Sequence, residues 1–456
     1  MPQMPKIKKA YVIGLGRSGM AAARLLKQQG WNVIVSDRST GESLLETKEL
    51  LVAQGIEVNL GSLPTLETSQ IDLIVVSPGV PWDSSILIEA RDRGIDTIGE
   101  LELAWRSLQT LPWLGITGTN GKTTTTALLA AIFQTAGIKA PPCGNIGYAA
   151  CELALAPPPE WVIAEISSFQ IESSRELAPQ IGIWTTFTPD HLNRHGTLEN
   201  YYRIKASLLK RCQHKIFNGD DPYLANLGST EWKDAYWTSI RGKAHLIGSP
   251  ETGVYLENNQ IIAFGRPVLP LSAFEMIGEH NQQNLLLAVA AARLAQIEPE
   301  AIQLAVSNFK GVPHRLEYVC SVNGIKFIND SKATNYDAAV VGLKSVSSPV
   351  ILIAGGEAKT GDNSDWLAMI KTKVAKVLLI GQDGPTLAEN LKQSGYLDYQ
   401  VVETMEKAVK AALSIATNLH TSVVLLSPAC ASFDQYQSFE HRGDHFRELC
   451  EGLIGD

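Results

Sequence analysis

Residues 118–124 form a glycine- and threonine-rich segment with a central lysine, the composition of a phosphate-binding loop. The segment lies between the apolar run 113–116 and a predicted helix, so its glycines would let backbone N–H groups converge on phosphate oxygens at a helix N-terminus. We expect Lys122 to bridge the β- and γ-phosphates of ATP and the Thr123 hydroxyl to bind Mg²⁺. Ile116 stands where the usual pattern has its first glycine, and a solvated lysine in a simple turn is the alternative interpretation. The predicted ATP contacts in this segment are Gly118, Thr119, Asn120, Gly121, Lys122, Thr123 and Thr124.

Downstream of this segment, one carboxylate, two imidazoles and one amine could bind a metal ion. Glu165 follows the apolar run 161–164, where a carboxylate is costly unless it meets a cation, so it is a candidate Mg²⁺ ligand. A capping or ion-paired surface residue is the alternative. His191 and His195 have the spacing of a zinc-binding helix, but a proline and a glycine bracket them closely and the usual glutamate is absent, which disfavours zinc. Lys205, read alone, is a solvated lysine on a helix.

A second glycine-rich turn, residues 14–19, follows the predicted strand 10–13. Asp37 comes after the next strand, at about the distance expected of a dinucleotide fingerprint. Taken alone, this pattern predicts NAD binding. An NAD-dependent oxidoreductase is therefore one alternative for the function of the chain.

Three further polar segments lie in the second half of the chain. Residues 278–284 would begin a helix with polar capping side chains. Residues 312–317 place Arg315 beside a proline turn, and residues 329–335 form a polar loop after a strand, with Asp330 near its start. Each segment, read alone, has a purely structural interpretation.

The elements that must position these residues alternate short β-rich runs with helices, which predicts an α/β fold. We predict three domains. Residues 1–108 would form a Rossmann-like domain, residues 109–311 a P-loop ATPase-type α/β domain, and residues 312–456 a second Rossmann-like domain. The predicted strands are 10–13, 33–35, 73–76, 113–116, 161–164, 181–184, 325–328, 350–353, 377–380 and 422–426, and the predicted helices include 20–29, 124–135 and 281–297.

The composition excludes several classes of protein. The 456 residues, 45% hydrophobic and 19% charged, are typical of a globular protein with more than one core. A net charge of −8 disfavours nucleic acid and anionic lipid as partners. The six cysteines are scattered without a paired motif, so we expect buried thiols in a reducing compartment. No signal segment or membrane span is predicted, and we expect a cytoplasmic protein that is not inserted into a membrane.

Together, these segments resemble the Mur ligase family, amide-forming enzymes that build the peptide of bacterial cell-wall precursors. The resemblance implies that Lys122 and its loop bind ATP with Mg²⁺, that Glu165 and His191 bind two metal ions, and that Lys205 is carbamylated and completes the metal site. His191 would orient ligands and bind metal without acting as a nucleophile. The other implied nucleotide contacts are Asn281 and Asn284 to adenine, Arg315 to the γ-phosphate and Asp330 to the ribose.

The resemblance also implies a different ligand for the first glycine-rich turn. In this branch of the family the turn carries the diphosphate or uridine of a UDP-sugar. Asn120 disfavours the alanine-adding branch, and residues 167–170 and 427–435 resemble the D-glutamate-adding branch. The implied UDP-sugar contacts are Leu15, Arg17, Ser18, Asp37, Arg38, Gly79 and Asn145.

The resemblance implies ligation of D-glutamate to UDP-N-acetylmuramoyl-L-alanine through an acyl phosphate, driven by ATP, in peptidoglycan synthesis. A monomer acting on small molecules is expected. Folylpolyglutamate synthase, which also adds glutamate, is a rival interpretation, and a nucleotide-binding regulator without chemistry is another. The implied D-glutamate contacts are His191, Thr334, Lys359, Ser432 and Phe439, and the implied catalytic residues are Lys122, His191, Lys205 and Arg315.

Overall fold

The computed structural model describes residues 8–63, 66, 71–276, 278–358 and 361–454, apart from the side chains of Ser43 and Ser229. Within that part of the chain there are three β-sheets, divided between two compact units. The first unit contains the first two sheets, and the second unit contains the third. The predicted α/β class with three domains is confirmed, and the boundaries at residues 108 and 311 stay predictions.

The first sheet has five parallel strands in the order β3-β2-β1-β4-β5. Its central strands are apolar except for Lys9 at one end, because helices cover both faces of a parallel sheet. The strands are β1 (Lys9–Ile13), β2 (Asn32–Asp37), β3 (Glu57–Leu60), β4 (Leu73–Val76) and β5 (Asp96–Gly99), and the helices are α1 (Arg17–Gln28), α2 (Glu42–Ala53), α3 (Ser85–Asp92) and α4 (Glu100–Leu108).

The second sheet has nine strands in the order β14-β13-β12-β11-β10-β9-β6-β8-β7. Strands β6 to β12 pair in parallel, and the apolar β6 lies between β8 and β9. The strands are β6 (Trp113–Thr117), β7 (Pro142–Gly144), β8 (Val162–Glu165), β9 (Ile181–Trp184), β10 (His214–Asn218), β11 (Tyr236–Ser239), β12 (Gly253–Glu257), β13 (Gln260–Ala263) and β14 (Arg266–Pro270).

The helices of this region lie between those strands and after them. The α-helices are α5 (Lys122–Thr135), α6 (Ala150–Leu155), α7 (Ser168–Glu172), α8 (Leu192–His195), α9 (Leu198–Arg211), α10 (Pro222–Glu231), α11 (Glu279–Leu294) and α12 (Pro299–Asn308), and short 3-10 turns cover Lys243–His245, Pro250–Thr252 and Leu271–Ala273.

An antiparallel extension, formed by β12, β13 and β14, was not predicted from the sequence. The turn between β12 and β13 places Asn258 and Asn259 in the left-handed region, with φ of 49° and 59°. Asparagine tolerates that conformation, which suits a two-residue hairpin turn.

The third sheet has six strands in the order β15-β16-β20-β17-β18-β19, antiparallel only between β15 and β16. Its strands are β15 (Glu317–Val322), β16 (Ile325–Asn329), β17 (Val350–Gly355), β18 (Val374–Ile380), β19 (Tyr399–Glu403) and β20 (Val423–Leu426), and its helices are α13 (Tyr336–Ser345), α14 (Ser364–Lys373), α15 (Gly384–Gln393), α16 (Met405–Asn418) and α17 (Phe439–Gly452).

All six cysteines are buried free thiols, as expected, and burial raises the pKa of each one. Three of them, Cys143, Cys151 and Cys212, belong to the first unit, and Cys320, Cys430 and Cys450 belong to the second. Among the described helices, none is both long enough and apolar enough to cross a bilayer.

Candidate active site

The predicted phosphate loop lies between strand β6 and helix α5. Gly118 and Gly121 have φ of 150° and 84°, and a Cβ at Gly121 would overlap the side chain of Asn284 in α11. Glycine is therefore required at both positions. The Lys122 ammonium folds back over the loop and donates to the carbonyl oxygens of Gly118 and Thr119, each at 2.9 Å. The loop thus presents a positive charge at the N-terminus of a helix, where a phosphate group binds well.

Lys205, on helix α9, lies beside the same loop and is only 1% exposed. Its amine donates to the Gly118 carbonyl at 3.0 Å and to the Thr117 hydroxyl at 3.3 Å, and it lies over the Tyr201 ring. Burial, together with the nearby charge of Lys122, holds the pKa of Lys205 well below its ordinary value. The solvated lysine inferred from the sequence alone is therefore wrong, because this side chain is buried beside the phosphate loop.

Glu165 ends strand β8, directly beside the strand that leads into the phosphate loop. It is 1% exposed, which rules out the surface residue considered as an alternative. One carboxylate oxygen accepts from the Asn145 amide at 2.7 Å, and the other is buried without a hydrogen-bond partner in the described chain. A buried carboxylate oxygen in this state fits a cation, so the residues present are compatible with Mg²⁺.

The two histidines occupy different environments. His191 is half-exposed with φ of 53°, and its ring packs on the edge of Phe169. His195 is buried between Phe169 and Tyr201, and its Nε2 lies 2.9 Å from the Ser168 hydroxyl. Burial, with the neighbouring Arg194 charge, lowers the pKa of His195 to about 4. In the described chain no three His, Cys, Asp or Glu side chains converge on one point, so a divalent ion here needs oxygen ligands beyond these groups.

The predicted UDP-sugar residues surround a cavity of about 580 Å³ at the carboxyl ends of the first sheet. The second sheet contributes Asn145 and Gln170 to the wall of this cavity. Leu15 does not line the cavity, because its side chain is buried in the core. The predicted contacts that do line the cavity are Arg17, Ser18, Asp37, Arg38, Gly79 and Asn145.

The carboxylate of Asp37 holds the first glycine-rich turn in place. One oxygen accepts from the backbone N–H of Leu15 at 2.7 Å and the other from the N–H of Ser39 at 2.8 Å. In NAD-binding proteins the corresponding carboxylate binds ribose hydroxyls. In this chain each oxygen accepts one backbone N–H, so Asp37 fixes the conformation of the turn.

The adenine contacts predicted from residues 278–284 fall at the start of helix α11. Asn281 and Asn284 are both buried. The Asn284 carbonyl accepts from the Thr125 hydroxyl at 3.4 Å, which places Asn284 beside the phosphate loop in the first unit.

In the second unit, Asp330 is buried just after strand β16. It accepts from the Ser427 hydroxyl at 2.9 Å and from the Leu316 N–H at 3.3 Å. Burial raises the pKa of Asp330 to about 7, a shift that the Ser427 bond and the positive charge of Arg315 oppose. The two predicted nucleotide contacts of this unit therefore interact electrostatically.

Arg442, on helix α17, joins two loops of the second unit and was missed by sequence reasoning. Its guanidinium is 1% exposed and donates to the hydroxyl and carbonyl of Ser331 and to the carbonyls of Cys430 and Ala431. These loops carry the predicted D-glutamate contacts Thr334 and Ser432. Phe439 begins α17 and lies under the Lys332 ammonium, and Lys359 lies outside the described residues.

Three family models match successive parts of the chain: Mur ligase MurD-like, N-terminal domain, over residues 8–99; Mur ligase middle domain, over 116–292; and Mur ligase, glutamate ligase domain, over 314–430. Relatives from Rippkaea orientalis and Microcystis aeruginosa are 65% and 66% identical, over 97% of this chain and 99% of each relative. The chain belongs to the Mur ligase family, whose members are ATP-dependent amide-forming ligases.

Both relatives, and one from Nostoc sp. that is 60% identical over 99% of this chain and 98% of its own length, are named UDP-N-acetylmuramoylalanine–D-glutamate ligase. A solved structure of UDP-N-acetylmuramate–alanine ligase from Thermotoga maritima is similar, with a TM-score of 0.59, 17% identity, and coverage of 98% of this chain and 99% of that one. A pseudomurein peptide ligase type C from Methanothermus fervidus has a TM-score of 0.57 at 20% identity, over 98% of this chain and all of its own. These two structures share the fold.

Proposed function

We propose that the chain ligates D-glutamate to UDP-N-acetylmuramoyl-L-alanine in peptidoglycan synthesis, with ATP converted to ADP and phosphate. The observation that carries this proposal is the bond from Asn145 to Glu165. Asn145 lines the cavity at the first glycine-rich turn, and Glu165 lies beside the phosphate loop. A sugar nucleotide in the cavity and ATP at the loop would therefore both lie next to the hydrogen-bonded pair of Asn145 and Glu165.

The reaction has two steps. The L-alanine carboxylate attacks the γ-phosphorus of ATP, which gives an acyl phosphate and releases ADP. The D-glutamate amine then attacks the acyl carbon, and the tetrahedral intermediate expels phosphate. Both steps concentrate negative charge, so Lys122 and Arg315 would act as fixed positive charges that stabilise it.

We also propose that the enzyme uses two Mg²⁺ ions, held by Thr123, Glu165, His191 and a carbamylated Lys205. Magnesium, when bound, supplies charge neutralisation at the phosphoryl oxygens. The unpartnered oxygen of Glu165 supports the metal site. The depressed pKa of Lys205 supports carbamylation, since only a neutral amine captures carbon dioxide.

The carbamate can be tested directly. Protein equilibrated with ¹³C-labelled bicarbonate should show one carbamate carbon signal by NMR, and Lys205→Met should lack it. A wild-type spectrum without that signal would remove the carbamate from the mechanism.

The remaining ligand contacts are proposed residue by residue. The UDP-sugar would occupy the cavity lined by Arg17, Ser18, Asp37, Arg38, Gly79 and Asn145, with Leu15 acting indirectly through the N–H that Asp37 binds. Adenine would meet Asn281 and Asn284, and the ribose Asp330. D-glutamate would meet His191, Thr334, Lys359, Ser432 and Phe439.

We further propose that the enzyme works as a cytoplasmic monomer. Six buried thiols without a paired motif suit a reducing compartment, and ATP and UDP-sugars are made there. Light scattering coupled to gel filtration should give the mass of one chain, and a dimer mass would contradict the proposal.

The activity is tested by phosphate release with ATP and Mg²⁺. UDP-N-acetylmuramoyl-L-alanine is added with D-glutamate, with L-glutamate or alone, and release is expected only with the D-isomer. Release stimulated by a folate would support folylpolyglutamate synthase. ATP binding without phosphate release under any condition would support a regulator.

A further inference from the structure

Helix α4 connects the first sheet to the second and begins with two buried carboxylates. Glu100 is 1% exposed and Glu102 is fully buried. Acidic residues in a first helical turn usually stabilise the N–H groups of their own helix. These two instead accept hydrogen bonds from backbone groups that belong to the region of the second sheet, within the same compact unit.

The two carboxylates bind different segments. One oxygen of Glu100 accepts from the N–H of Cys151, in helix α6, at 2.6 Å. Both oxygens of Glu102 are used, one by the N–H of Glu176 and one by the N–H of Leu177, each at 3.0 Å. Three backbone N–H donors of the second sheet region, two of them buried, are therefore bound by two side chains of α4.

The backbone at this junction is also closely packed. The N–H of Gly99, the residue just before α4, donates to the carbonyl of Ser173 at 2.8 Å. A Cβ at Gly99 would overlap the Ser173 side chain. The start of α4 and the end of α7 are therefore in direct contact and would move together.

The bound segments follow two of the cavity residues that the region of the second sheet supplies. Asn145 lies six residues before Cys151, and Gln170 lies on α7, just ahead of Glu176 and Leu177. Glu100 thus fixes the chain six residues after Asn145, and Glu102 fixes it six and seven residues after Gln170. The glycine-rich turn of the first sheet lines the same cavity.

We propose that Glu100 and Glu102 are positioning residues for the nucleotide-sugar cavity, which hold Asn145 and Gln170 opposite the turn at residues 14–19. This assignment rests on the proposed function, because it takes that cavity as the UDP-sugar site. Neither carboxylate lines the cavity, so both act through the segments they bind.

The two residues should respond differently to amide substitution. Glu100 accepts through one oxygen only, and its second oxygen has no partner in the described chain, so Glu100→Gln keeps the bond to Cys151. Glu102→Gln must instead point an NH₂ group at one of two N–H donors, which breaks a bond. Glu176→Gln is the matched control, since that side chain lies at the same junction and is 66% exposed.

Binding of UDP-N-acetylmuramoyl-L-alanine and of a non-hydrolysable ATP analogue is measured by calorimetry on the full chain. Glu102→Gln should weaken the sugar nucleotide about tenfold and leave the ATP analogue unchanged. Glu100→Ala, which removes the acceptor of the Cys151 N–H, should weaken the same ligand, whereas Glu100→Gln and Glu176→Gln should match the wild type. Glu102→Asp, which keeps the charge but cannot reach, is the second variant and should weaken the same ligand, with thermal unfolding confirming that each variant is folded.

Hydrogen exchange gives a readout that does not depend on the ligand. Glu102→Gln should speed exchange at the amides of Glu176 and Leu177 and leave Cys151 protected. Unchanged affinity for the sugar nucleotide, or equal loss for both ligands, overturns the positioning role. A wild-type chain that binds the ATP analogue but no sugar nucleotide overturns the proposed function, and this assignment with it.

Discussion

The two glycine-rich turns of the first unit both connect a strand to a helix, but side chains of opposite charge bind their backbones. The first turn, residues 14–19, is held by the carboxylate of Asp37. The second turn, residues 118–122, is covered by the ammonium of Lys122 and flanked by the amine of Lys205. A strand–turn–helix unit supplies backbone N–H donors in both cases, and the neighbouring side chains determine which anionic group it binds.

Under the proposed function, this difference matches the fate of each ligand. The diphosphate of the UDP-sugar is bound and released unchanged, so Arg17 and Arg38 at the cavity need only bind a charge that stays constant. The γ-phosphate of ATP gains charge during transfer, so the second turn needs a cation that is already in place. Four experiments test this difference between the two turns.

The largest effect is expected at Lys122. Lys122→Met should lower the rate of phosphate release about a thousandfold, because the charge that offsets the transferred phosphoryl group is lost. Affinity for the sugar nucleotide should stay the same, as measured by calorimetry. Lys139→Met, at an exposed position of the same unit, is the control, and equal rates for both variants would refute the role of Lys122.

The second effect concerns the backbone of the first turn. A Cβ at Gly19 would overlap the Gly14 carbonyl, whereas a Cβ at Gly16 would meet nothing within 4 Å. Gly19→Ala should therefore lower the free energy of unfolding by about 3 kcal/mol, and Gly16→Ala should change it little. Urea unfolding of the two variants measures the difference. Equal stabilities would mean that α1 is not packed against the turn as closely as described.

The third effect concerns the charge of the first turn. Asp37→Asn leaves one acceptor for the two N–H groups of Leu15 and Ser39, so the turn should loosen. The KM for UDP-N-acetylmuramoyl-L-alanine should rise about tenfold, with kcat and the KM for ATP unchanged. Glu42→Gln, exposed at the start of α2, serves as the control. A fall in kcat alone would place Asp37 in the chemistry instead.

The smallest effect is on the pH dependence of the free energy of unfolding, to which Glu100 and Lys205 contribute with opposite signs. Burial raises the pKa of Glu100 to about 7, against the opposing charge of Arg17, while burial lowers the pKa of Lys205. Between about pH 4.5 and 7 the folded state binds more protons at Glu100 than the unfolded state, so the free energy of unfolding falls as pH rises. Lys205 has the opposite sign, because stability rises with pH up to its ordinary range near 10.5.

These slopes can be separated by substitution. Glu100→Gln should remove a change on the order of 1 kcal/mol between pH 5 and 7. The pKa of Asp330 is raised to about 7 as well, so part of the slope should survive in that variant. Lys205→Met, studied in buffer free of carbon dioxide, should reduce the pH dependence of the free energy of unfolding on the alkaline side only. Unchanged profiles in both variants would mean that neither group is desolvated.

Features that are contiguous in the sequence could be predicted, and features that depend on packing could not. The loop at Lys122 and the turn at Gly14 were found because glycines, strand and helix follow one another directly. Lys205 was misread because burial is a tertiary property, although its helix offered a signal. Lys205 shares a buried face with Tyr201 and Leu208, so a lysine occupies an apolar stripe.

The clamping groups Arg442 and Glu102 were also missed, for the same reason. Arg442 binds carbonyls of Cys430 and Ala431, and Glu102 binds N–H groups more than 70 residues away. Every residue type has a backbone carbonyl, and nearly every type has an N–H, so a bond to the backbone cannot be recognised from the types of the side chains. The hairpins of the second sheet were overlooked too, although the adjacent Asn258 and Asn259 are typical of a two-residue turn.

Each compact unit contains three buried cysteines, whose reaction with a reagent can report local unfolding of that unit. Because burial keeps them protonated and out of solvent, an alkylating reagent can reach a cysteine only while its surroundings are transiently unfolded. Labelling rates at Cys143, Cys151 and Cys212 would report opening of the first unit, and those at Cys320, Cys430 and Cys450 opening of the second. Mass spectrometry of a single labelled sample could thus compare the kinetic stability of the two units without an introduced probe.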